Sequence, residues 1–455
     1  MARAKKEAAL TPEERLQAAL VPDWEWPYKL PENWCWTTVG AINQYVGISA
    51  DPTKAKNKTF ELYSVPSSAD NYPEIVLGAD IGSTKQSVKK GDVLLCKINP
   101  RINRVWKVSK YTDHSLLASS EWIVIRNSGL ISNYLMWCFR SPYFRGYMLS
   151  NVSGVGGSLM RAQPKFVQGY PVPVPPLAEQ QRIVDRIESL FAKLDEAKEK
   201  AQAVVDSFET RKAAILHKAF TGELTAKWRE EHGVGMESWK KKSVGELCIS
   251  LKYGTAKKSD ASGNVVVLRM GNLQQGEIDW SDLAYSNDPD DIEKYKLFPG
   301  DVLFNRTNSA ALVGKTAIYR GEHPAIYAGY LIKLDYDHDK IIGDYLNYAL
   351  NTLDAKKYCN SVKTDGVNQS NINAKKIGAY SFNVPSIPEQ EKIVSVIQKL
   401  LSKEQQSKAA AEAVLDQIDL MKKSILARAF RGELGTNDPI EESALELLKR
   451  VLESK

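Results

Sequence analysis

Glu-Gln-Gln-Arg-Ile-Val at positions 179–184 recurs as Glu-Gln-Glu-Lys-Ile-Val at positions 389–394. Ile-Leu-His-Lys-Ala-Phe-Thr-Gly-Glu-Leu at 215–224 recurs as Ile-Leu-Ala-Arg-Ala-Phe-Arg-Gly-Glu-Leu at 425–434. Both pairs are separated by 210 positions, so the two intervening segments are equal in length. A helix cannot gain or lose a residue without rotating its buried stripe away from its partner. The repeat therefore predicts two long helices of matched length, one in each of two similar halves.

Apolar residues recur through both segments at the heptad spacing that is typical of coiled coils. The predicted seam of the first helix is Ile183, Ile187, Leu190, Leu194, Ala197, Ala201, Val204, Phe208, Arg211 and Ile215. The predicted seam of the second is Ile393, Ile397, Leu400, Glu404, Ser407, Ala411, Val414, Ile418, Met421 and Ile425. We expect the helices to pair, with weaker pairing near Glu404 and Ser407. The alternative is two amphipathic helices that pack separately on their own domains.

Short motifs that recur in the same order in both halves indicate that a globular block precedes each long helix. Gly-Asp-Val-Leu-Leu at 91–95 matches Gly-Asp-Val-Leu-Phe at 300–304, and Val-Pro at 174–175 matches Val-Pro at 384–385. The predicted fold is α+β: two similar globular α/β domains separated by two long antiparallel coiled-coil helices, with pseudo-twofold symmetry. The predicted segments are an N-terminal helix and aromatic arm (1–35), a first domain (36–175), a first long helix (176–220), a linker (221–238), a second domain (239–385), a second long helix (386–430) and a helical C-terminal tail (431–455).

Composition narrows the class of protein. The chain has 455 residues, a formal net charge of +6 and five cysteines. The cysteines form no Cys-x-x-Cys pair, so the sequence predicts neither a zinc site nor a disulfide framework. Apolar runs fall short of the roughly 18 residues of a membrane span, and the charged N-terminus does not resemble a signal peptide. We therefore expect a cytoplasmic protein with no membrane partner.

The motifs of catalysis are missing from the sequence. Residues 309–316 approach a phosphate-binding loop, but Ser309 stands where the motif needs glycine. The sequence contains no zinc-protease, nucleophile-elbow or amino-methyltransferase motif. Asp290, Asp291 and Glu293 form a carboxylate cluster without the spacing of a common nuclease core. We therefore expect no catalytic residue, no metal site and no cofactor in this chain.

Basic and amide side chains are concentrated in one stretch of the first block. Residues 85–110 contain eight Lys and Arg residues and a single acid, Asp92. Lys and Arg neutralise phosphates, whereas Arg, Asn and Gln can also pair with base edges. A Gly-rich loop at 153–161 follows later in the block. The candidate DNA-binding residues here are Lys85, Gln86, Lys97, Asn99, Arg101, Asn103, Arg104, Ser158 and Arg161.

The second block contains a comparable set of side chains. The run Thr-Asp-Gly-Val-Asn-Gln-Ser-Asn at 364–371 is short and polar, and suits a loop that enters a DNA groove. The candidate DNA-binding residues are Arg269, Asn272, Asn305, Arg306, Asn308, Lys315, Thr364, Asn368, Gln369 and Asn371. The alternative interpretation of both sets is a solvated surface with turn-forming Asn and Gly residues.

The repeated motifs at 179–184 and 389–394 and at 215–224 and 425–434 are called the cassettes below. Together with the two diverged blocks, they resemble the specificity subunit of type I restriction–modification systems. The resemblance rests on the Glu-Gln opening and the Ala-Phe-x-Gly-Glu-Leu close of each long helix, and it covers nearly the whole chain. It implies a non-catalytic subunit whose two target recognition domains each read one half of a bipartite DNA sequence. The helices are expected to set the spacer between the halves.

The resemblance also implies partners. Two methyltransferase subunits are expected to dock on the helices, and motor-nuclease subunits, expected to be two, complete the restriction enzyme. S-adenosylmethionine, ATP and Mg²⁺ belong to those partners. The candidate interface residues are Glu179, Gln180, Arg182, Phe220, Glu223, Glu389, Gln390, Lys392, Phe430 and Glu433. Two other classes stay open: a coiled-coil scaffold that binds only proteins, and a self-contained restriction enzyme, against which the missing motifs argue.

Overall fold

The computed structural model describes residues 11–153, 160–367 and 369–454, and it divides the chain into two compact units. Unit 1 combines residues 1–200 with residues 414–455, whereas unit 2 is the continuous segment 201–413. Helices and strands are mixed along the chain, so the α+β class predicted from the sequence is confirmed.

Unit 1 surrounds short sheets with helices. Its strands are β1 (Cys35–Thr38), β2 (Ser49–Ala50), β3 (Thr59–Tyr63), β4 (Glu74–Leu77), β5 (Lys85–Ser87), β6 (Val93–Cys96), β7 (Val105–Lys107), β8 (Ser115–Ala118), β9 (Trp122–Ile125), β10 (Val152–Ser153), β11 (Arg161–Ala162) and β12 (Pro171–Val174). Its helices up to residue 200 are α1 (Pro12–Ala19), α2 (Val39–Ile42), α3 (Ser132–Arg140), α4 (Pro142–Ser150), α5 (Pro164–Val167) and the first part of α6 (Leu177–Asp206). The sheets are β1-β12, β2-β5-β8-β3-β4, β7-β6-β9 and β10-β11.

Unit 2 has a two-stranded ribbon that corresponds to the β1–β12 ribbon of unit 1, and it has its own set of short sheets. Its helices are α7 (Phe208–Phe220), α8 (Ala226–Glu231), α9 (Val244–Leu247), α10 (Pro289–Tyr295), α11 (Gly343–Leu350), α12 (Leu353–Val362), α13 (Ala374–Gly378) and most of α14 (Ile387–Ala429). Its strands are β13 (Lys240–Ser243), β14 (Cys248–Tyr253), β15 (Val265–Leu268), β16 (Leu273–Gln274), β17 (Glu277–Ile278), β18 (Tyr285–Ser286), β19 (Val302–Asn305), β20 (Thr307–Asn308), β21 (Thr316–Ile318), β22 (Ala325–Tyr327), β23 (Leu331–Tyr336), β24 (Thr364–Asp365), β25 (Ser370–Asn371) and β26 (Ser381–Val384). The sheets are β13-β26, β14-β23-β19-β21, β18-β15-β22, β16-β17 and β20-β25-β24.

The two ends of the chain complete the core of unit 1. Helix α15 (Ala444–Glu453) buries Leu447, Leu448 and Val451 in the same cluster as Leu16 of α1. Trp34 and Trp36 of the aromatic arm lie in this cluster as well. The arm and the C-terminal tail, which the sequence predicts as separate segments, are therefore built into the first globular unit.

The long helices differ in continuity. Helix α14 is one continuous helix of 43 residues, whereas the first long helix is divided at Ser207 into α6 and α7. The Ser207 hydroxyl donates to the carbonyl of Ala203, and the Arg211 guanidinium donates to the carbonyl of Val204 at 3.0 Å. Side chains that bond backbone carbonyls of the preceding turn compete with the helical ladder and bend helices. These contacts explain the division that heptad spacing did not predict.

Within each unit the two long helices run antiparallel. In unit 1, Ile183 and Ile187 of α6 share a core with Leu426, near the C-terminal end of α14, and with Phe430, which follows that helix. In unit 2, Leu216 of α7 shares a core with the residues that open α14, including Ile393 and Ile397. The ends of the predicted seams are thus buried as expected.

In the middle of the α14 seam, Ala411 and Ile418 are buried as predicted, whereas other positions are shifted by one residue. Val414 and Met421 are exposed, and so is Ser407, whereas Leu415 and Lys422 on the neighbouring positions are partly buried. The Lys422 ammonium lies 5.1 Å from the centre of the Phe191 ring in unit 1. Long Lys side chains cover apolar surface with their stems and hold the charge over aromatic faces. A seam lysine of this kind is invisible to an apolar heptad pattern.

The predicted weak point near Glu404 contains an ion pair. Arg211 Nε donates to Glu404 Oε2 at 2.5 Å within unit 2, and the two side chains are 32% and 26% exposed. Two of the polar seam residues of unit 2, Arg211 and Glu404, therefore satisfy each other. A partly buried polar pair in a coiled-coil seam fixes register at some cost in stability.

The glutamate that opens each cassette is fully buried. In unit 2, Glu389 accepts hydrogen bonds from Trp239 Nε1 at 3.0 Å, from Thr225 Oγ1 at 2.7 Å and from Arg229 Nη1 at 2.7 Å. Arg229 is only 10% exposed. Residues 221–238, predicted as a linker, are therefore folded into unit 2, because the buried Glu389 carboxylate requires Thr225 and Arg229 as partners.

Unit 1 builds the same arrangement with partners from both chain ends. Glu179 accepts from Trp34 Nε1 at 2.8 Å, from Asn437 Nδ2 at 2.9 Å and from Thr436 Oγ1 at 3.2 Å. Trp34 precedes β1 just as Trp239 precedes β13. The carboxylate is thus held by an indole from the strand entry in both units.

The glutamine that follows the buried glutamate is also fully engaged in hydrogen bonds in both units. Gln180 accepts from the Ile131 amide at 2.9 Å and donates to the Pro175 carbonyl at 3.0 Å. Gln390 accepts from the Ile342 amide at 3.0 Å and donates to the Pro385 carbonyl at 2.9 Å. Both side chains are fully buried. The repeated Glu-Gln pair is explained by folding, because each half needs the same buried hydrogen bonds.

Several predicted interface residues are therefore corrected. Glu179, Gln180, Glu389, Gln390 and Phe430 are buried within their own units and have no surface to offer a docked subunit. Phe220 is partly buried against Tyr345, and Arg182 is bound to Glu441 at 2.7 Å. The exposed members of the predicted set are Glu223, Lys392 and Glu433.

We expect Glu389→Ala to destabilise unit 2 by about 3–5 kcal/mol, because it leaves the buried Arg229 charge without a counterion. Urea unfolding followed by tryptophan fluorescence measures the loss. The matched control is Glu391→Ala on the same turn, where the side chain is exposed and the expected change is within about 0.5 kcal/mol. Equal stability of the two variants would contradict the role assigned to the buried glutamate.

Candidate nucleic-acid interface

A loop and a hairpin meet in unit 1. The loop of residues 97–104 joins β6 to β7, and the hairpin is formed by β10 and β11. The Asn99 amide donates to the Met160 carbonyl at 2.8 Å, and the Ala162 amide donates to the Lys97 carbonyl at 2.8 Å. Ile98 and Arg161 form an antiparallel bridge. The fold thus brings together two sequence segments that were separately predicted to contact DNA.

Unit 2 has a loop–hairpin pair at the equivalent place. The loop of residues 306–315 joins β19 to β21, and its short strand β20 pairs with β25 of the β24–β25 hairpin. Thr307 is the register partner of Asn371, as Ile98 is of Arg161. The Ile372 amide donates to the Arg306 carbonyl at 2.9 Å. The hairpin is the run 364–371 that the sequence singled out.

Two asparagines shape the unit 1 loop. Asn99 and Asn103 have φ values of 47° and 51°, in the left-handed region that Asn tolerates better than most residues. Asn103 Nδ2 donates to the Arg140 carbonyl at 3.0 Å, and Asn99 Oδ1 is buried without a partner among the described residues. The left-handed backbone at both asparagines and the side-chain hydrogen bond of Asn103 shape the turn that presents Arg101, which is exposed. Their part is to position the loop.

Other residues of the predicted basic stretch are part of a β-sheet and bond its backbone. Lys85 and Gln86 lie on β5, where Gln86 Nε2 donates to the carbonyls of Ser119 and Trp122 at 3.0 and 2.8 Å. Partial burial lowers the pKa of Lys85. The Nε2 of Gln86 is therefore engaged in bridging the two carbonyls.

Three basic residues lie in or beside the loop itself. Lys97 Nζ donates to the Ser120 carbonyl at 2.7 Å, and Arg104 is half-buried. Arg161 is 47% exposed and only loosely paired, with 3.4 Å between its Nε and Glu121. Arg161 and Arg101 are thus the predicted arginines that unit 1 leaves at its surface.

In unit 2, Arg306 lies at the junction of loop and hairpin. Its guanidinium lies 4.8 Å from the centre of the Tyr253 ring, and Nη1 donates to the Gly329 carbonyl at 3.2 Å. Nη2 contacts Asn371 Oδ1 at 3.4 Å, and Asn371 Nδ2 donates to Thr307 Oγ1 at 2.8 Å. These bonds fasten the hairpin to the loop.

The surface of this site is polar. Thr364 and Gln369 are exposed on the hairpin, and Asn308 and Lys315 are half-buried on the loop. Lys315 Nζ donates to Gln274 Oε1 at 2.8 Å. Two of the predicted residues, Ser158 and Asn368, lie outside the described residues.

Two predicted asparagines are buried. Asn272 is 3% exposed and donates to the carbonyls of Asp279 and Asp282. Asn305 is fully buried, and its Oδ1 accepts from the Thr307 amide at 3.3 Å. Arg269 is paired with Asp282 at 3.0 Å. Asn272 and Asn305 are therefore corrected to structural residues, because neither can reach a ligand.

The sequence did not single out several residues that belong to this site. Tyr253 ends β14, far from Arg306 in sequence, and no local pattern predicts that its ring lies against the guanidinium. Lys363 and Lys376 flank the hairpin; Lys376 Nζ donates to Thr364 Oγ1 at 2.7 Å and Lys363 Nζ to the Ala310 carbonyl at 3.0 Å. Their flanking positions were the available signal.

The acidic cluster of the sequence has a structural role. Asp288 caps α10 by accepting from the Asp291 amide at 3.0 Å, and Asp291 accepts from the Thr255 hydroxyl. Lys257 pairs with Asp288 at 2.5 Å. Among residues 11–153, 160–367 and 369–454, no group of His, Cys, Asp and Glu side chains could hold a metal ion. No helix in the same described ranges is long and apolar enough to cross a membrane.

Known proteins resemble the chain over both halves. Residues 236–413 match the family described as type I restriction modification DNA specificity domain. The chain is 27% identical over 306 residues to the StySPI specificity subunit of Salmonella potsdam and 28% identical over 321 residues to the EcoKI specificity subunit of Escherichia coli K12. These alignments cover 66% and 68% of this chain and 65% and 68% of the two relatives, about two thirds of their length.

Solved structures share the fold. A chain from a type I restriction–modification system matches with a TM-score of 0.71 and 21% identity, over 90% of this chain and 100% of the other. The HsdS subunit of Thermoanaerobacter tengcongensis matches with a TM-score of 0.63 and 22% identity over the same shares. The resemblance inferred from the cassettes is therefore confirmed: residues 236–413 match the type I restriction modification DNA specificity domain family, and the chain is similar in sequence to type I specificity subunits and shares the fold of the HsdS subunit.

Proposed function

We propose that this chain is the DNA-recognition subunit of a type I restriction–modification assembly, in which each unit reads one half of a bipartite target. The observation that carries the proposal is the loop–hairpin pair that recurs at equivalent register in both units. Short loops and β-ribbons can enter a DNA groove and present side chains to base edges.

The two sites offer different chemistry at equivalent positions. The Ile98–Arg161 register pair of unit 1 corresponds to Thr307–Asn371 of unit 2, and Lys97 corresponds to Arg306. The exposed Arg161 of unit 1 is of the type that favours guanine, whereas the exposed Gln369 beside Asn371 in unit 2 is of the type that favours adenine. Two different donor sets on one scaffold support half-sites of different sequence.

The rest of the assembly follows from the same family. We propose that the long helices set the spacer between the half-sites and dock two methyltransferase subunits, and that two motor-nuclease subunits complete the restriction enzyme in the cytoplasm. S-adenosylmethionine, ATP and Mg²⁺ would be bound by those partners, which supply methylation and cleavage. This chain would contribute DNA recognition alone.

DNA binding tests the proposal directly. We expect the purified chain, with its methyltransferase partner, to bind duplex DNA with an affinity that falls steeply with salt, because phosphate contacts release counterions. Fluorescence anisotropy between about 50 and 200 mM salt measures the slope. A protein-binding scaffold would show no salt-dependent DNA affinity, and that result would reject the function.

Half-site separability is a second prediction. We expect Arg161→Ala to weaken discrimination in one half of the target and Gln369→Ala in the other, each by about 1–3 kcal/mol for a lost base contact. Methylated adenines are mapped on a randomised DNA library with the partner subunits supplied.

The control for this experiment is Lys54→Ala, an exposed residue in unit 1 outside the loop and hairpin, which should leave both halves unchanged. A variant that altered both halves together would show that the units are not independent readers. If neither Arg161→Ala nor Gln369→Ala changes the target, the hairpin assignment is wrong.

A further inference from the structure

Tyr253, the last residue of β14, connects two parts of the unit 2 site. Its ring centre lies 4.8 Å from the Arg306 guanidinium of the loop, and its hydroxyl accepts a hydrogen bond from the Ala374 amide at 3.0 Å. Ala374 opens α13, the helix that follows the β24–β25 hairpin. Tyr253 therefore contacts the loop with its ring and the exit of the hairpin with its hydroxyl.

Arg306 is the residue through which the loop holds the hairpin. Its backbone carbonyl accepts from the Ile372 amide at 2.9 Å, and its Nη2 lies 3.4 Å from Oδ1 of Asn371, the last residue of β25. Its Nη1 donates to the Gly329 carbonyl at 3.2 Å. The contact with Asn371 requires the guanidinium to keep its place, so the orientation of this side chain bears on that of the hairpin.

The hydrogen bonds of the Arg306 guanidinium are long. Both lie at or beyond the upper end of the range for N–H···O bonds, and Nε is buried without a partner among the described residues. An arginine side chain also loses much rotamer freedom when it is ordered. An aromatic ring over the flat face of a guanidinium restrains it and leaves the N–H groups at its edge available. The Tyr253 ring supplies the restraint that these hydrogen bonds lack.

Exposure separates this contact from the core of unit 2. Tyr253 is 42% exposed, and it belongs to none of the buried clusters formed by the described residues of unit 2. Cation–π contacts at exposed sites contribute little to folding. Loss of the ring should therefore disturb the position of Arg306 more than the stability of the unit.

We propose that Tyr253 is a positioning residue for DNA recognition by unit 2, which acts through Arg306 to hold the hairpin in the orientation that reads the half-site. The inference rests on the proposed function, in which the hairpin enters a DNA groove. A hairpin that samples several orientations binds with an affinity reduced by the fraction of time it spends in the competent one. Tyr253 thus determines specificity without a base contact of its own, whereas exposed hairpin residues such as Gln369 read the bases.

Binding to the mapped target, with the methyltransferase partner supplied, measures this role. We expect Tyr253→Leu to weaken cognate binding about five- to tenfold, as a competent fraction of about 0.1–0.2 would do, with the lost discrimination confined to one half-site. Affinity for duplex without the target should change less than about twofold, because phosphate contacts carry no sequence information. Tyr253→Phe keeps the ring and should stay within about twofold of wild type. Equal loss of discrimination in both half-sites would contradict the assignment.

A double-mutant cycle tests the route through Arg306. In an Arg306→Ala background, Tyr253→Leu should add less than about twofold, whereas the effects of independent residues would multiply. Arg306→Lys keeps the positive charge but loses the flat guanidinium. We expect Arg306→Lys to bind the target as weakly as Arg306→Ala does. Near wild-type binding by Arg306→Lys would show that the arginine contacts a phosphate, and the proposed route would be wrong.

Hydrogen exchange tests the positioning in the absence of DNA. Mass spectrometry of a peptide that spans residues 360–374 should show faster exchange in Tyr253→Leu than in wild type. The amides expected to change are those of Gly366 and Ile372, both of which are hydrogen-bonded in the hairpin or at its exit. Peptides from β19 should exchange at the wild-type rate, which establishes that unit 2 is still folded.

Phe298→Leu is the matched control. Phe298 is 56% exposed and has the Lys296 ammonium 5.5 Å from its ring centre, so this change also removes an exposed ring with a cation–π contact from unit 2. It should alter neither hairpin exchange nor DNA binding. If Tyr253→Leu leaves both at the wild-type level, the role of Tyr253 is overturned while the proposed function stands. If the wild-type complex binds target and unrelated duplexes alike, the proposed function itself fails.

Discussion

The buried carboxylate at the start of each long helix organises the molecule. Glu179 and Glu389 are fully buried, and burying an ionised carboxylate is costly unless several donors satisfy it. Each unit meets this need with an indole N–H from the strand entry and with donors that follow the other long helix. In each unit, one carboxylate therefore connects the start of one long helix, the two-stranded ribbon and the turn that follows the other long helix. Both halves need these connections, which accounts for the repeated glutamate of the cassettes.

The sequence predicted the long helices because their constraint is local. Equal spacing of the cassettes and apolar periodicity are properties of one helix, and both are visible without knowing its surroundings. The interior of the seam was less predictable. Lys422 is a seam residue because the Phe191 ring lies beneath it, and Arg211 is one because Glu404 faces it. Such polar seam positions depend on a partner from the other half of the chain, which periodicity cannot reveal.

The candidate DNA-binding site was also predictable only in part from the sequence. The two polar loops could be identified from composition, yet only the fold brings Arg161 beside residues 97–104 and Asn371 beside Thr307. Composition also included Asn272 and Asn305, which are buried and bond the backbone. Asn has the same donors and acceptor whether it binds a base or a carbonyl, so burial alone distinguishes the two roles, and burial is a tertiary property.

The division of unit 1 between both ends of the chain has a consequence for synthesis. Unit 2 is continuous, so it can fold as soon as residue 413 has left the ribosome. Leu16 and Trp34 are made first, but their core partners Leu447, Leu448 and Val451 are made last. At about 5–20 residues per second, the first segment waits on the order of twenty seconds to more than a minute with its apolar surface unburied. Unit 1 is therefore completed last, and this interval is when the nascent chain is most prone to aggregation.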